Sequence, residues 1–238
     1  MLYSFTDGTY PGLIMDATGN LYGSNNAGVF ELSLSGGTWT EQAIYNGAVD
    51  SGLAMDGSGN IFFVVSIPDG RRRARSNWTV VELFLNFGVW DPIPIHTFAP
   101  NHYPSGALAV DKAGNVYGFQ DTSTFKGQQI SESIYILQRA KDWAQKTLYS
   151  QTSGSFDGIS LDDADDIFVI WPGTNSDNYG ATFELTAPSY AEGNTWNFNG
   201  PDGQQPNSRL IVDSAGNLYG TTQSGGSNGY GIVFEVTP

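Results

Sequence analysis

The sequence predicts an all-β fold, a five-bladed β-propeller built from four-stranded antiparallel blades. Two observations carry that expectation. An eleven-residue pattern, LIMDATGNLYG at 13–23, returns as LAMDGSGNIFF (53–63), LAVDKAGNVYG (108–118), ISLDDADDIFV (159–169) and LIVDSAGNLYG (210–220). Recurrence every 40 to 55 residues or so is the mark of propeller and solenoid arrays. The composition agrees, since 30 Gly, 12 Tyr, 14 Phe and 6 Trp in 238 residues suit many short strands joined by tight turns. No low-complexity linker divides the chain, so one domain spanning 1–238 is expected, with repeat cores at 13–45, 53–98, 108–151, 159–200 and 210–238 plus 2–5.

Each repeat core reads as strand, turn, strand. In the first, Leu13 to Met15 lead into Asp16, Ala17 and Thr18 suit the centre of a type I turn, and Gly19 suits the left-handed position that closes a bulged hairpin. The Asp column (Asp16, Asp56, Asp111, Asp162, Asp213) is explained by side-chain acceptance of turn N–H groups, without catalysis. In the fourth repeat Asp165 replaces the turn glycine, and a left-handed backbone is expected there.

A third strand follows as VFEL (29–32), VVEL (80–83), IYIL (134–137), TFEL (182–185) and VFEV (233–236). Its glutamates, Glu31, Glu82, Glu184 and Glu235, alternate with apolar residues and are expected on an outward, half-exposed side. The fourth strand is marked by a Trp with an aromatic or His six residues on: Trp39 with Tyr45, Trp90 with His96, Trp143 with Tyr149. His96 therefore reads as an outer-strand packing residue, and Trp196 as the start of a shortened version. The fifth repeat stops after its third strand, while Leu2 to Phe5 (LYSF) matches the fourth-strand segment TLYSQ at 147–151. The N-terminal strand is expected to complete the last blade and close the ring, which removes an exposed sheet edge.

The run from Leu210 to Pro238 together with Leu2 to Phe5 resembles the GloVer-type tandem repeat family, with its DxAGNLYGTT, GGxxGxGxVFELTP and TLYSF pattern. The resemblance covers the whole chain, strongest in the first and fifth repeats and weakest in the fourth. It implies a secreted or surface-anchored bacterial protein, hence an extracellular or cell-surface location, and it brings no catalytic residues with it.

Charge and residue usage narrow the function. A net charge of -14 sets the average surface against phosphate backbones and anionic lipid, so neither nucleic-acid binding nor membrane insertion is expected. The basic run Arg71, Arg72, Arg73 and Arg75 reads as a solvated loop or a local anion site. Cys is absent, which excludes disulfides and thiolate metal sites. No cofactor and no metal are expected; the acidic cluster Asp162, Asp163, Asp165 and Asp166 lacks the ordered spacing of a calcium loop. The residues from Met1 onward show no basic region followed by an apolar core, so no signal peptide is expected among them.

The DxxGN turns are uniform, whereas the loops between second and third strands and the crossings between blades differ in length. Function is expected on that irregular face. Arg209 stands where the other repeats have Gly12, Gly52, Ala107 and Gly158, with room to contact an anionic ligand or to bridge to Asp157 or Asp202. Trp171, Tyr10, Tyr103, Tyr179 and Tyr230 are placed on the same face, as sugar-stacking surfaces or as loop padding. The expected function is non-catalytic binding of a glycan or other small or surface ligand by a monomer. The alternative is a carbohydrate-active hydrolase or lyase using loop-face carboxylates or His102.

Overall fold

The computed structural model describes residues 3–4, 12–25, 27–68, 76–123, 129–152, 154–173, 179–207 and 209–238. They form five four-stranded antiparallel sheets, the blades of a five-bladed β-propeller. Blade one is β1 (Ile14–Met15), β2 (Leu21–Asn25), β3 (Gly28–Ser35) and β4 (Thr38–Asn46); blade two is β5 (Ala54–Met55), β6 (Ile61–Pro68), β7 (Ser76–Asn86) and β8 (Val89–Thr97). Blade three is β9 (His102–Val110), β10 (Val116–Ser123), β11 (Gln129–Gln138) and β12 (Ala144–Gln151); blade four is β13 (Ile159–Leu161), β14 (Ile167–Trp171), β15 (Ala181–Thr186) and β16 (Ala191–Asn197). The fifth sheet holds β17 (Gln204–Pro206), β18 (Ile211–Val212), β19 (Leu218–Ser224) and β20 (Val233–Val236). By packing the chain divides into two compact units, 1–116 with 137–145, and 117–136 with 146–238.

The DxxGN turns form as their residues demand. Asp16 Oδ1 accepts the Thr18 and Asn20 N–H groups at 2.9 Å each, and the Gly19 N–H returns to the Asp16 carbonyl at 3.1 Å. The closing residue is left-handed in every copy, with φ of 90° at Gly19 and 64° at Asp165. Asp16 carries the consequence in its titration. Desolvation raises its carboxyl, but hydrogen bonds from Thr18, Asn20 and Tyr22 outweigh it and hold the pKa down to about 2.

In the first unit, β6 has both faces covered: Ile61, Phe62, Phe63, Val64 and Val65 are all buried. A strand hidden on both sides reads as a continuous apolar run rather than an alternation. Each such side chain contributes roughly 1.5 to 3 kcal/mol. One side joins Tyr22, Val29, Ile44 and Leu53 in a core cluster. In the second unit Phe168 and Ile170 join Leu210, Leu218 and Phe234 in another.

The glutamate column is corrected at two of its four positions. Glu31 is half-buried and Glu235 exposed, as expected, but Glu82 and Glu184 are buried, because that side of the third strand is covered there. Glu82 Oε1 meets Arg139 Nη2 at 2.7 Å, and Glu184 Oε2 accepts the Asn194 amide at 2.9 Å. Desolvation raises the Glu82 carboxyl while Arg139 opposes the shift.

The aromatic column is also regular further than expected. Trp90 packs edge-on to Tyr22 with centroids 6.1 Å apart, Trp143 sits 6.1 Å from Phe62, and Tyr190 sits 6.3 Å from Tyr117. Tyr190 thus fills the Trp slot of blade four. Trp196, paired with Thr182 as His96 is with Val80 and Tyr45 with Val29, fills the slot six residues on. His96 is an outer-strand packing residue, its Nε2 3.1 Å from Gln145 Oε1 and its pKa lowered by burial.

In the fifth sheet β19 pairs with β18 and β20 along one stretch and with β17 along its far end, Gln204 opposite Ser224 and Pro206 opposite Thr222. Leu2 and Phe5 of the expected closing strand lie outside the described residues, as does the run Arg71 to Arg75. Tyr3 hydrogen bonds to Glu41 on β4.

Candidate functional site

The second unit gathers four of the predicted site residues around two glycine-rich turns. The first turn, Asn199 to Gly203, is closed by reciprocal Gly200 and Gly203 main-chain bonds at 3.1 Å. Asp202 caps it, its Oδ1 accepting the Asn199 N–H at 2.7 Å. Tyr179 lies beside this turn: its carbonyl accepts the Gln205 N–H at 2.8 Å, and a Cβ on Gly200 would stand 3.3 Å from its ring. Gly200 is therefore the residue that lets the ring lie against the backbone.

The second turn carries Tyr230. The Gly226 N–H reaches the Gly200 carbonyl at 3.0 Å and ties the two turns together, while Gly231 returns to the Gly225 carbonyl at 3.0 Å and Thr222 to that of Ile232 at 3.0 Å. Gly231 has φ of 87°, and a side chain there would run into the Thr222 carbonyl. The outcome is a loop with a fixed backbone and a Tyr230 side chain that is 91% exposed.

Trp171 ends β14 next to this cluster, since a Cβ on Gly180 would meet both the Trp171 carbonyl at 2.7 Å and Pro206 Cδ at 2.6 Å. Its indole Nε1 is buried with no hydrogen-bond partner. Trp171 thus stands half-buried at the end of a strand with its polar atom unmet. Asp157 exposes its side chain, and its main chain is bound to β14 through the Ile170 carbonyl at 3.0 Å; desolvation raises its carboxyl.

Of the remaining predicted residues, Arg209 belongs to the same unit, and His102 and Tyr103 to the first. Arg209 precedes β18 with exposed surface, and desolvation lowers its pKa. Among the described residues no ion pair joins it to Asp157 or Asp202. His102 and Tyr103 begin β9 in the first unit. His102 Nδ1 lies 3.2 Å from the Pro100 carbonyl, tied to its own turn, and Tyr103 packs edge-on to Trp78 at 6.4 Å. Tyr10 lies outside the described residues.

The sequence reading missed the polar edge of the platform. Gln204 Nε2 donates to Ser224 Oγ at 2.9 Å, and Ser224 Oγ to Gln205 Oε1 at 3.3 Å, across the β17–β19 pair. The signal was the double Gln between Gly203 and Pro206, which reads as a crossing until a strand partner is known. Among the described residues no group of three or more His, Cys, Asp or Glu is placed to hold a metal ion.

No family model and no curated protein matches the chain. Solved structures do. The chain is similar to a protein of unknown function from Dyadobacter fermentans, at 12% identity over 100% of this chain and 79% of that one with a TM-score of 0.61. It is similar to a gluconolactonase from Xanthomonas campestris, at 16% identity over 100% and 78% of the two chains with a TM-score of 0.61. A glucose dehydrogenase matches at 14% identity over 98% and 83%, again with a TM-score of 0.61. At these identities the likeness is one of fold.

Proposed function

We propose that the chain is an extracellular, non-catalytic binding propeller that recognises glycan on the platform formed by Trp171, Tyr179, Asp202 and Tyr230. The observation that carries this reading is the 91% exposure of Tyr230 on a loop whose backbone is fixed by hydrogen bonds. A large aromatic carried on a hydrogen-bonded backbone presents its flat face to water, and that face suits the C–H face of a sugar ring. Asp202, Gln204, Gln205 and Ser224 border it with carboxylate, amide and hydroxyl groups that match sugar hydroxyls. The resemblance to secreted bacterial repeats supports the location.

A glycan array tests the reading. Bound glycans are then titrated into Tyr230→Ala and Asp202→Asn variants. The expected result is an affinity loss of about tenfold for Tyr230→Ala, or about 1.4 kcal/mol, with the parent melting temperature. An array without binders removes the proposal. Polysaccharide hydrolysis that Asp202→Asn abolishes would replace it with the hydrolase reading.

A further inference from the structure

In the second unit the first strands of blades four and five meet, the Ser160 hydroxyl on β13 donating to the Leu210 carbonyl just before β18 at 2.7 Å. Each segment hides alternate side chains. Ile159 and Leu210 are 0% and 4% exposed, and Leu210 packs with Phe168, Ile170, Leu218 and Phe234. Their neighbours point to the other side, as extended backbone requires. On the β13 segment these are Gly158 and Ser160, both small. On the β18 segment they are Arg209, which is exposed, and Ile211, which is 70% exposed.

Arg209 departs from the repeat without compensation inside the fold. The other four copies put Gly12, Gly52, Ala107 and Gly158 at its position. Among the described residues its side chain takes part in no hydrogen bond, ion pair or ring contact. Lys146, the other cation described in this unit, has the Tyr190 ring 5.8 Å away. The protein around Arg209 strips water from it and lowers its pKa, and no carboxylate acts in the opposite sense. Asp157 agrees from the acidic side, since desolvation raises its carboxyl and no cation holds it down. The guanidinium is therefore unmatched in charge. A charged group that costs desolvation and gains no internal contact in return points to a ligand.

A planar guanidinium grips a carboxylate or a phosphate through two parallel hydrogen bonds. The net charge of -14 repels a divalent anion more strongly than a monovalent one, which favours a carboxylate. Ile211 adds an apolar surface on the same side, and an apolar group on the same molecule would remove it from water.

We infer that Arg209 and Ile211 form a binding site for a small monocarboxylate with an apolar tail, the carboxylate on the guanidinium and the tail on Ile211. The site differs in chemistry from the Tyr230 platform, and its occupation does not require glycan to bind there.

Calorimetric titration of hexanoate, hexanamide and inorganic phosphate into the parent, Arg209→Gln and Ile211→Ser proteins tests the site. Hexanoate is expected to bind the parent, with hexanamide and phosphate weaker by about tenfold or more. Arg209→Gln is expected to lose about tenfold or more in hexanoate affinity, and Ile211→Ser about threefold or more. The melting temperature of Arg209→Gln should equal or exceed that of the parent, because a desolvated charge without a partner has been removed. A marked fall in that melting temperature would assign Arg209 to the fold and overturn the site. Failure of hexanoate to bind, equal binding of hexanamide, or undiminished binding by Arg209→Gln would each overturn it too. Phosphate binding as tightly as hexanoate would make this a site for inorganic anions and overturn the monocarboxylate, and parent-like hexanoate binding by Ile211→Ser would overturn the placement of the tail.

Discussion

The crossing out of blade two and the crossing out of blade three anchor the same point of the chain with different chemistry. After β8 the Phe98 N–H donates to the main-chain carbonyl of Trp78 at 2.9 Å, as Gly47 does to Ala27 and Phe198 to Gly180, both at 2.9 Å. After β12 the path is longer: Tyr149 to Phe156 spans seven positions where His96 to Phe98 spans two. There the Phe156 N–H donates instead to Glu132 Oε2 at 2.7 Å. Glu132 stands at the strand position of Trp78, two residues before the IYIL and VVEL segments. Its side chain reaches what a main-chain carbonyl can no longer reach. The longer crossing thus comes with a buried carboxyl, only 2% exposed.

A main-chain carbonyl cannot be removed by substitution, and a carboxyl can. Glu132→Ala should leave the Phe156 N–H buried without an acceptor and cost about 1 to 3 kcal/mol, the largest effect anticipated. Trp78→Phe keeps the Phe98 acceptor and should lose only side-chain packing. Urea unfolding of both variants decides the matter, and a Glu132→Ala protein as stable as its parent would dissolve the contrast.

The second difference is titration. Burial pushes the Glu132 carboxyl up to about 8; the Phe156 N–H opposes this, Asp121 adds to it, and Gln151 opposes it. The folded chain therefore holds a proton that the unfolded chain releases near its ordinary value of 4.5. Its contribution to stability is full below that value and is lost as pH climbs from there through about 8. Glu132→Gln keeps an acceptor and removes the proton. The difference in unfolding free energy between parent and Glu132→Gln should shift in favour of the variant across that window; a flat difference would show that Glu132 titrates alike in both states.

The smallest effect concerns another departure from the repeat. Asp165 holds φ of 64° where the sister turns have glycine, and Asp165→Gly should be neutral or stabilising by up to about 1 kcal/mol. A loss of stability in thermal melts would mean that this carboxylate, like that of Glu132, has taken over work the repeat does elsewhere with main chain.

Repetition made the blades legible. The five Asp turns, the third-strand columns and the outer aromatics could be aligned by eye, and their φ values and pairings follow the alignment. What repetition could not reveal was where the copies differ for a reason. Glu82 and Glu184 looked outward like Glu31 and Glu235 because alternation within one strand says nothing of what covers it, and Glu82 needed Arg139, 57 positions away, to be understood. Tyr230, Tyr179, Asp202 and Trp171 were found by their types, but their assembly depends on glycine turns meeting across β17 and β19. The Gln204 and Ser224 edge and the Arg139–Glu82 pair lacked any local pattern to announce them.

The aromatic slot at the β8, β12 and β16 hairpins has a consequence for anyone who would recombine this chain. Trp90, Trp143 and Tyr190 lie in sequence within one blade but pack on Tyr22, Phe62 and Tyr117 of the blade before. The exchangeable module is therefore staggered relative to the sheet. A graft cut between blades would separate each ring from the ring it was fitted to, and cutting at the DxxGN turns would do the same. A graft that carries a second strand together with the outer hairpin of the following blade keeps the fitted pair intact, so shuffled libraries of such repeats should retain folded members when the breakpoints respect that stagger.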